Sequence, residues 1–168
     1  MKIFDYLSPR LQKALQKLSG EELDVLEEIR LRIGQPLCLR KYNALFFLTL
    51  QGELSTQREN ALIVMKDDLE KTLMMLSQSS FYALDEELRR GYITLPGGHR
   101  AGLCGHAVLE NGHIRSQRDI CSVNLRIAKQ KKGCADSLMR HLIQKSGLPK
   151  SLEKRLMRKI QKQKNLPQ

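Results

Sequence analysis

No stretch of this chain is apolar enough to cross a membrane as a helix. Its longest apolar runs, such as residues 44–50 with the internal Thr49, fall far below the roughly 20 residues such a span needs. Met1-Lys2-Ile3 runs straight into a polar amphipathic segment, so no signal peptide and a reducing, cytoplasmic setting are expected. Nowhere does G-x-x-x-x-G-K-[ST] occur, the loop whose backbone amides cradle phosphates while its Lys neutralises the γ-oxygens and its hydroxyl holds Mg²⁺. The chain alone is therefore expected to need no cofactor and to hydrolyse no nucleotide. Gly97-Gly98-His99-Arg100-Ala101-Gly102 is glycine-rich, but it lies between strand-like runs with no following helix, and reads as a structural turn.

Cysteine pairs of the C-x-x-C kind are also absent. Cys38, Cys104, Cys121 and Cys134 lie among apolar or small residues and are expected to be buried structural thiols. His99, Cys104, His106, His113 and Cys121 are close in sequence, yet they lack the two separate couples of a structural zinc site, so no metal is expected. Glu110, Asp119 and the histidines are available for acid–base work, without a nucleophile motif beside them. With 4 Phe and 4 Tyr, most at core-like positions, there is no aromatic platform for single-stranded nucleic acid.

Charge is present in excess, but unevenly. The formal net charge is +11, yet residues 1–128 hold 17 Lys and Arg against 16 Asp and Glu, and residues 129–168 hold 12 against 2. A near-neutral body with a basic tail predicts an appendage, whereas a binding stripe folded into the domain would raise the charge of the body itself. The 168 residues are read as one domain over 1–144 and a tail over 145–168. The tail is either a basic amphipathic helix or disordered, with Leu152, Leu156 and Ile160 at helical spacing. One reading of this charge is a nucleic-acid-binding or protein-interaction module that uses residues 129–164 as its anchor.

Within the body, Ser8-Pro9 predicts a helix start, with Leu7, Leu11, Leu15 and Leu18 on one face and Gly20 as the stop. Residues 28–33 alternate charged and aliphatic, which predicts a strand with Ile29, Leu31 and Ile33 on one side and the arginines on the other. Gly34 and Pro36 turn the chain into a return strand over 37–40, followed by a buried strand over 44–50. Asp67 and Glu70 predict a helix start with Leu69, Leu73 and Leu76 inward. A second helix, capped by Ser79 or Ser80 and carrying Phe81, Leu84 and Leu88 inward, ends at Gly91.

Residues 87–129 alternate glycine turns, β-branched runs and arginines. Pro96, Gly97 and Gly98 turn between strands over 92–95 and 100–103. Asn111-Gly112 is the strongest local signal, because a type I′ hairpin needs positive φ at both central residues; it pairs 106–110 with 113–117. Gly102 and Gly105 mark a bend or a close backbone approach. A last strand over 122–128 and a short helix over 133–144 complete the pattern. Arg100, Arg115, Arg118 and Arg126 fall on different strands of this sheet, so several are placed to converge on one face as guanidinium forks for phosphate or carboxylate. Composition alone favours solvated positions partnered by Asp119 and Glu110.

Three blocks resemble a known family. EEIRLRIGQPLCLR (27–40), SSFYALDEELRRGYITLPGGHRAGLCGHAVLENGHI (79–114) and RDICSVNLRIAKQKKGCADSLM (118–139) are similar, in order and spacing, to the stage III sporulation protein AA family. That family resembles the ATPases of type II secretion and type IV pili. The resemblance covers about residues 5–143. It implies an α+β fold of PAS-like type, with a mixed or antiparallel sheet and packing helices, placed before a RecA-like core in a hexameric motor. It implies ATP and Mg²⁺ in the complete protein and membrane-channel subunits as partners on the mother-cell side, with nucleic acid not expected. Arg100 and Arg126, and more weakly Arg118, match strand arginines that reach nucleotide phosphates. A supplied arginine of that kind is worth ~10³-fold or more in rate. Where the family continues into a phosphate-binding loop, this sequence runs into KSGLPKSLEKRLMRKIQKQKNLPQ (145–168), which reads as a truncation or an altered frame.

Overall fold

A computed structural model describes residues 3–77 and 87–129. Contacts divide the chain into two units, Met1–Ala128 and Lys129–Gln168. The boundary expected at 144, the helix over 133–144, Cys134, the tail, and the expected cap of the helix before Gly91 with its Phe81 and Leu84 lie outside the described residues, while Leu88 of that helix packs against the core as expected.

Among the described residues, seven strands form one sheet in the order β4-β3-β2-β1-β7-β6-β5. They are β1 (Leu26–Arg32), β2 (Cys38–Lys41), β3 (Ala44–Leu48), β4 (Leu54–Ser55), β5 (Tyr92–Thr94), β6 (Arg100–Glu110) and β7 (His113–Arg126). Every pairing is antiparallel, so of the two sheet types implied the mixed one is not found. The N-terminal half of the chain and the C-terminal half meet where β1 pairs with β7.

Period-two alternation gives the sheet one apolar face. Ile29, Leu31, Leu39, Ala101, Val123 and Leu125 are fully buried on it. Over them lie α1 (Pro9–Leu15) and α3 (Lys66–Leu76), which contribute Leu11, Leu15, Leu69 and Leu76 to the same core, joined by Leu7 just before α1. Ser8 caps α1 by accepting from the Leu11 N–H at 3.3 Å.

Four expectations are corrected. Gly20 does not stop the first helix; it opens α2 (Gly20–Asp24), because Ser19 and Glu22 exchange the two hydrogen bonds of a capping box. The box at α3 is closed by Asp68, which accepts from the Met65 N–H at 2.9 Å, while Asp67 pairs along the helix surface with Lys71. β3 is not a buried strand: it lies next to the two-residue β4 near the sheet edge, so Leu45 is 45% exposed. Cys104 and Cys121 are exposed and Cys38 is half-buried. The first two belong to the outer part of β6 and β7, where neither β5 nor β1 continues alongside.

The β6–β7 hairpin is longer than two separate short pairings. It turns at Asn111 (φ 51°) and Gly112 (φ 77°) and slips register twice, once between Cys104 and His106. At that slip β7 doubles its path, with Asp119 at φ 49°, and its backbone presses against Gly105. A Cβ there would overlap the carbonyl of Arg118 and approach the Ile120 backbone at 3.0 Å. Gly102 has ordinary contacts, none nearer than 3.8 Å. Gly105→Ala is expected to cost about 1–3 kcal/mol in denaturant unfolding, since backbone cannot yield as a side-chain tip does. Gly102→Ala should be close to neutral; equal effects would place the constraint elsewhere.

Candidate functional site

The second face of the sheet is polar, and register assembles it. Arg100 lies directly opposite Arg126. Arg126 in turn faces Glu28, Arg30 faces Asn124, and Arg32 faces Ser122. On β2, Arg40 is paired with Glu28 and Cys38 with Arg30, and Phe47 of β3 lies opposite Cys38. Residues directly opposed across a ladder share a face. One surface therefore collects Arg30, Arg32, Arg40, Arg100 and Arg126 around the Glu28 carboxylate, with Glu27 also 3.6 Å from Arg40.

The Glu28 carboxylate is already occupied. Glu28 accepts from Arg30 at 2.9 Å, from the Asn124 amide, and lies 3.8 Å from Arg40. Burial pushes its carboxyl up, but the Arg30 and Asn124 hydrogen bonds and the nearby Arg40 charge outweigh this and hold it below the ordinary carboxylate range. The Glu28 hydrogen bond in return raises Arg30 further. Arg126, although it faces Glu28 in register, has no ion pair among the described residues, and neither does Arg100.

Arg100 and Arg126 are both exposed, and Arg100 stacks over the Tyr92 ring with 5.0 Å to its centroid. Leu103, Val123 and Leu125 supply the inward apolar contacts of the same strands, so the two guanidinium groups do not contribute to the core. Two like charges directly opposed on a sheet cost roughly 0.2–1 kcal/mol, which makes the pair a feature the fold carries at a loss.

Of the four arginines expected to converge, only these two meet. Arg118 is exposed and stands opposite His106, beyond the register slip. Arg115 is held by Glu110 at 3.1 Å. Asp119 sits 3.5 Å from His106, so neither expected carboxylate partner reaches Arg100 or Arg126. His99 has a structural task, since its Nδ1 accepts from the Ala128 N–H at 2.9 Å and ties the end of β7 to the turn at Pro96–Gly98. Gly34, Gly97 and Gly98 take positive φ in their turns, and Pro36 bridges to Ile63.

Arg30, Arg32 and Arg40 belong to this surface, and so does Arg58, which packs over Phe47 at 5.5 Å. Sequence reasoning did not gather them into a site. The alternation over 28–33 put the first two on the side away from the aliphatics. Arg58, in the connection after β4, carries no periodic signal. Arg30, Arg32 and Arg58, together with Phe47, Cys38, Ser122 and Asn124, line a hollow of about 370 Å³. Burial, the largest influence on Cys38, pushes its thiol up, so it is not an activated nucleophile.

Among solved structures, the VirB11 ATPase from the Brucella suis type IV secretion system, in complex with sulphate, is 19% identical. The match covers 83% of this chain and 38% of that one, with a TM-score of 0.38. Among curated proteins, stage III sporulation protein AA of Bacillus subtilis (strain 168) is 36% identical over 146 residues, covering 87% of this chain and 44% of the relative. The chain thus spans less than half the length of that relative. The family model described as "Sporulation stage III, protein AA" matches residues 1–152. The EEIRLRIGQPL hairpin and the arginine-bearing β5–β7 sheet both fall within that match, and the chain belongs to the sporulation stage III protein AA family.

Proposed function

We propose that this sheet domain supplies arginines to the nucleotide of a sporulation motor of the secretion-ATPase type, and takes part in assembling that motor. The observation that carries the reading is the Arg100–Arg126 pair, exposed, opposed in register and without a carboxylate partner among the described residues. A cationic pair held open at a cost to the sheet fits an anion from outside it, and charge-assisted forks of this kind suit phosphate oxygens. Arg118, separated by the register slip, is a third contact of lower weight.

In this reading the domain is the PAS-like N-terminal part of a protomer that works in a hexameric ring beside membrane-channel subunits, at the cytoplasmic side of the mother cell. No helix among the described residues is long and apolar enough to cross a membrane. ATP and Mg²⁺ belong to the complete protein, where the nucleotide supplies a phosphoryl group whose developing charge the arginines stabilise.

A chimaera tests it. Residues 1–128 of this chain, in place of the matching segment of a complete family member, should preserve ATP hydrolysis, while the present chain alone should show none above background. A folded chimaera without turnover, or robust turnover by the repurified chain alone, would defeat the proposal.

A further inference from the structure

At the other end of the polar face lies the hollow lined by Arg30, Arg32 and Arg58. Arg30 is paired with Glu28 at 2.9 Å, and Arg40, outside the lining, lies 3.6 Å from Glu27 and 3.8 Å from Glu28. Arg32 and Arg58, by contrast, have no ion pair among the described residues, and both line the hollow. Two uncompensated positive charges therefore border it. Cys38, its thiol kept neutral by burial, adds no opposing charge.

The rest of the lining is of another kind. Pro36, Leu45 and Phe47 form an apolar wall, and Phe47 presents an aromatic ring already visited by the Arg58 guanidinium at 5.5 Å. Such a ring stacks with a planar body and gives base–aromatic contacts worth about 1–3 kcal/mol. One wall of the hollow is fixed in place, since Pro36 of the lining is bridged to Ile63. At about 370 Å³ it lies at the small end of ligand cavities, about 300–1,000 Å³, large enough for a mononucleotide-sized molecule. An extended acidic chain would need an open groove.

The geometry points to a phosphomonoester with a planar aromatic body, a nucleoside monophosphate in its simplest form, as the occupant of this hollow. A phosphomonoester carries about −1.5 to −2 charges at neutral pH, which matches the two free guanidinium groups, while the ring meets Phe47. The site is separate from the Arg100–Arg126 pair. Along β7 its lining includes Ser122 and Asn124, four and two residues from Arg126, roughly 13 and 7 Å at about 3.3 Å per residue, and neither Arg100 nor Arg126 lines it.

Calorimetric titration of the full chain with AMP tests the assignment, with inorganic phosphate, adenosine and a polyglutamate peptide as comparisons. Saturable one-to-one binding of AMP is expected, at least ~10-fold tighter than phosphate or adenosine alone, because neither fragment uses both halves of the hollow. Arg32→Ala and Arg58→Ala should each weaken AMP by about 10-fold or more. Both side chains are exposed in part, so the variants should keep the wild-type melting temperature. Arg115→Ala, outside the lining and paired with Glu110, should bind AMP as the wild type does. The assignment is overturned if AMP does not saturate at millimolar concentration, or if the peptide binds more tightly than AMP. It fails equally if binding follows Arg115 and ignores Arg32 and Arg58.

Discussion

Replacing Arg100 and Arg126 together by alanine, in the chimaera that carries residues 1–128 on the motor core of a complete family member, should cut ATP hydrolysis by at least ~10²-fold. The transferring phosphoryl group develops charge that a fixed guanidinium fork stabilises without reorganisation, and two forks are removed at once. The same double substitution in the isolated chain should leave the melting temperature unchanged within a few degrees. Exposed charged groups contribute about 1 kcal/mol or less each, and relieving the Arg100–Arg126 opposition offsets part of even that. Each single variant should retain more activity than the double, because one fork remains. A double variant that hydrolyses ATP at the wild-type rate, or an isolated domain that unfolds on either substitution, would make these arginines structural and remove the basis of the motor proposal.

Asp68→Ala should be the most damaging single change to the fold, at about 3 kcal/mol and roughly 10 °C in melting temperature. Asp68 is 1% exposed and joins elements far apart in sequence. Its carboxylate accepts from the Ser8 hydroxyl at 2.8 Å, from the Arg10 guanidinium, and from the Met65 N–H at 2.9 Å. The Ser8 N–H donates to Thr72 Oγ1 at 3.1 Å, so the start of α1 is pinned to the first turns of α3 at two points. Removing the carboxylate leaves the Ser8 hydroxyl and the Met65 amide without their acceptor and Arg10 without its counter-charge.

The pH dependence has a definite sign. Burial pushes the Asp68 carboxyl up, but the hydrogen bonds from Arg10, Met65 and Ser8 and the Arg10 charge prevail and hold it below its ordinary range. A carboxyl depressed by folding contributes stability that is complete above its unfolded-state pKa, about 3.9, and is lost as pH falls through its folded value. The gap in denaturant midpoint between wild type and Asp68→Asn should therefore be full at pH 7 and shrink below about pH 4. A gap independent of pH would mean that the network acts through shape alone. Glu28, depressed in the same direction, adds to the acid lability of the wild type.

Some of this protein was decided locally, and there the sequence was sufficient. Asn111-Gly112 supplies positive φ without regard to its surroundings. Ser8-Pro9 starts a helix by chemistry confined to one turn, and the spacing of Leu7, Leu11 and Leu15 states which face is buried before anything exists to bury it. The alternation over 28–33 likewise separates the aliphatics from the arginines. Helix ends were less legible where two signals competed: Gly20 resembles a stop until Ser19 and Glu22 are seen closing a box around it, and Asp67 resembles a cap until Asp68 takes the Met65 amide.

What no local signal carries is which strands become neighbours. The pairing of β1 with β7 brings Arg30 beside Asn124 and Glu28 beside Arg126 across more than 90 residues of chain. Only that pairing converts solvated strand arginines into one cationic face with the Glu28 carboxylate spent. The same holds for Ser8 and Asp68, 60 residues apart, and for Arg58, which reaches Phe47 because the connection after β4 folds back over β3. Periodicity reports which way a side chain points relative to its own strand or helix. Contact between elements depends on packing and register, and these were set by the tertiary structure because burial of the shared apolar face rewards one arrangement of the whole sheet.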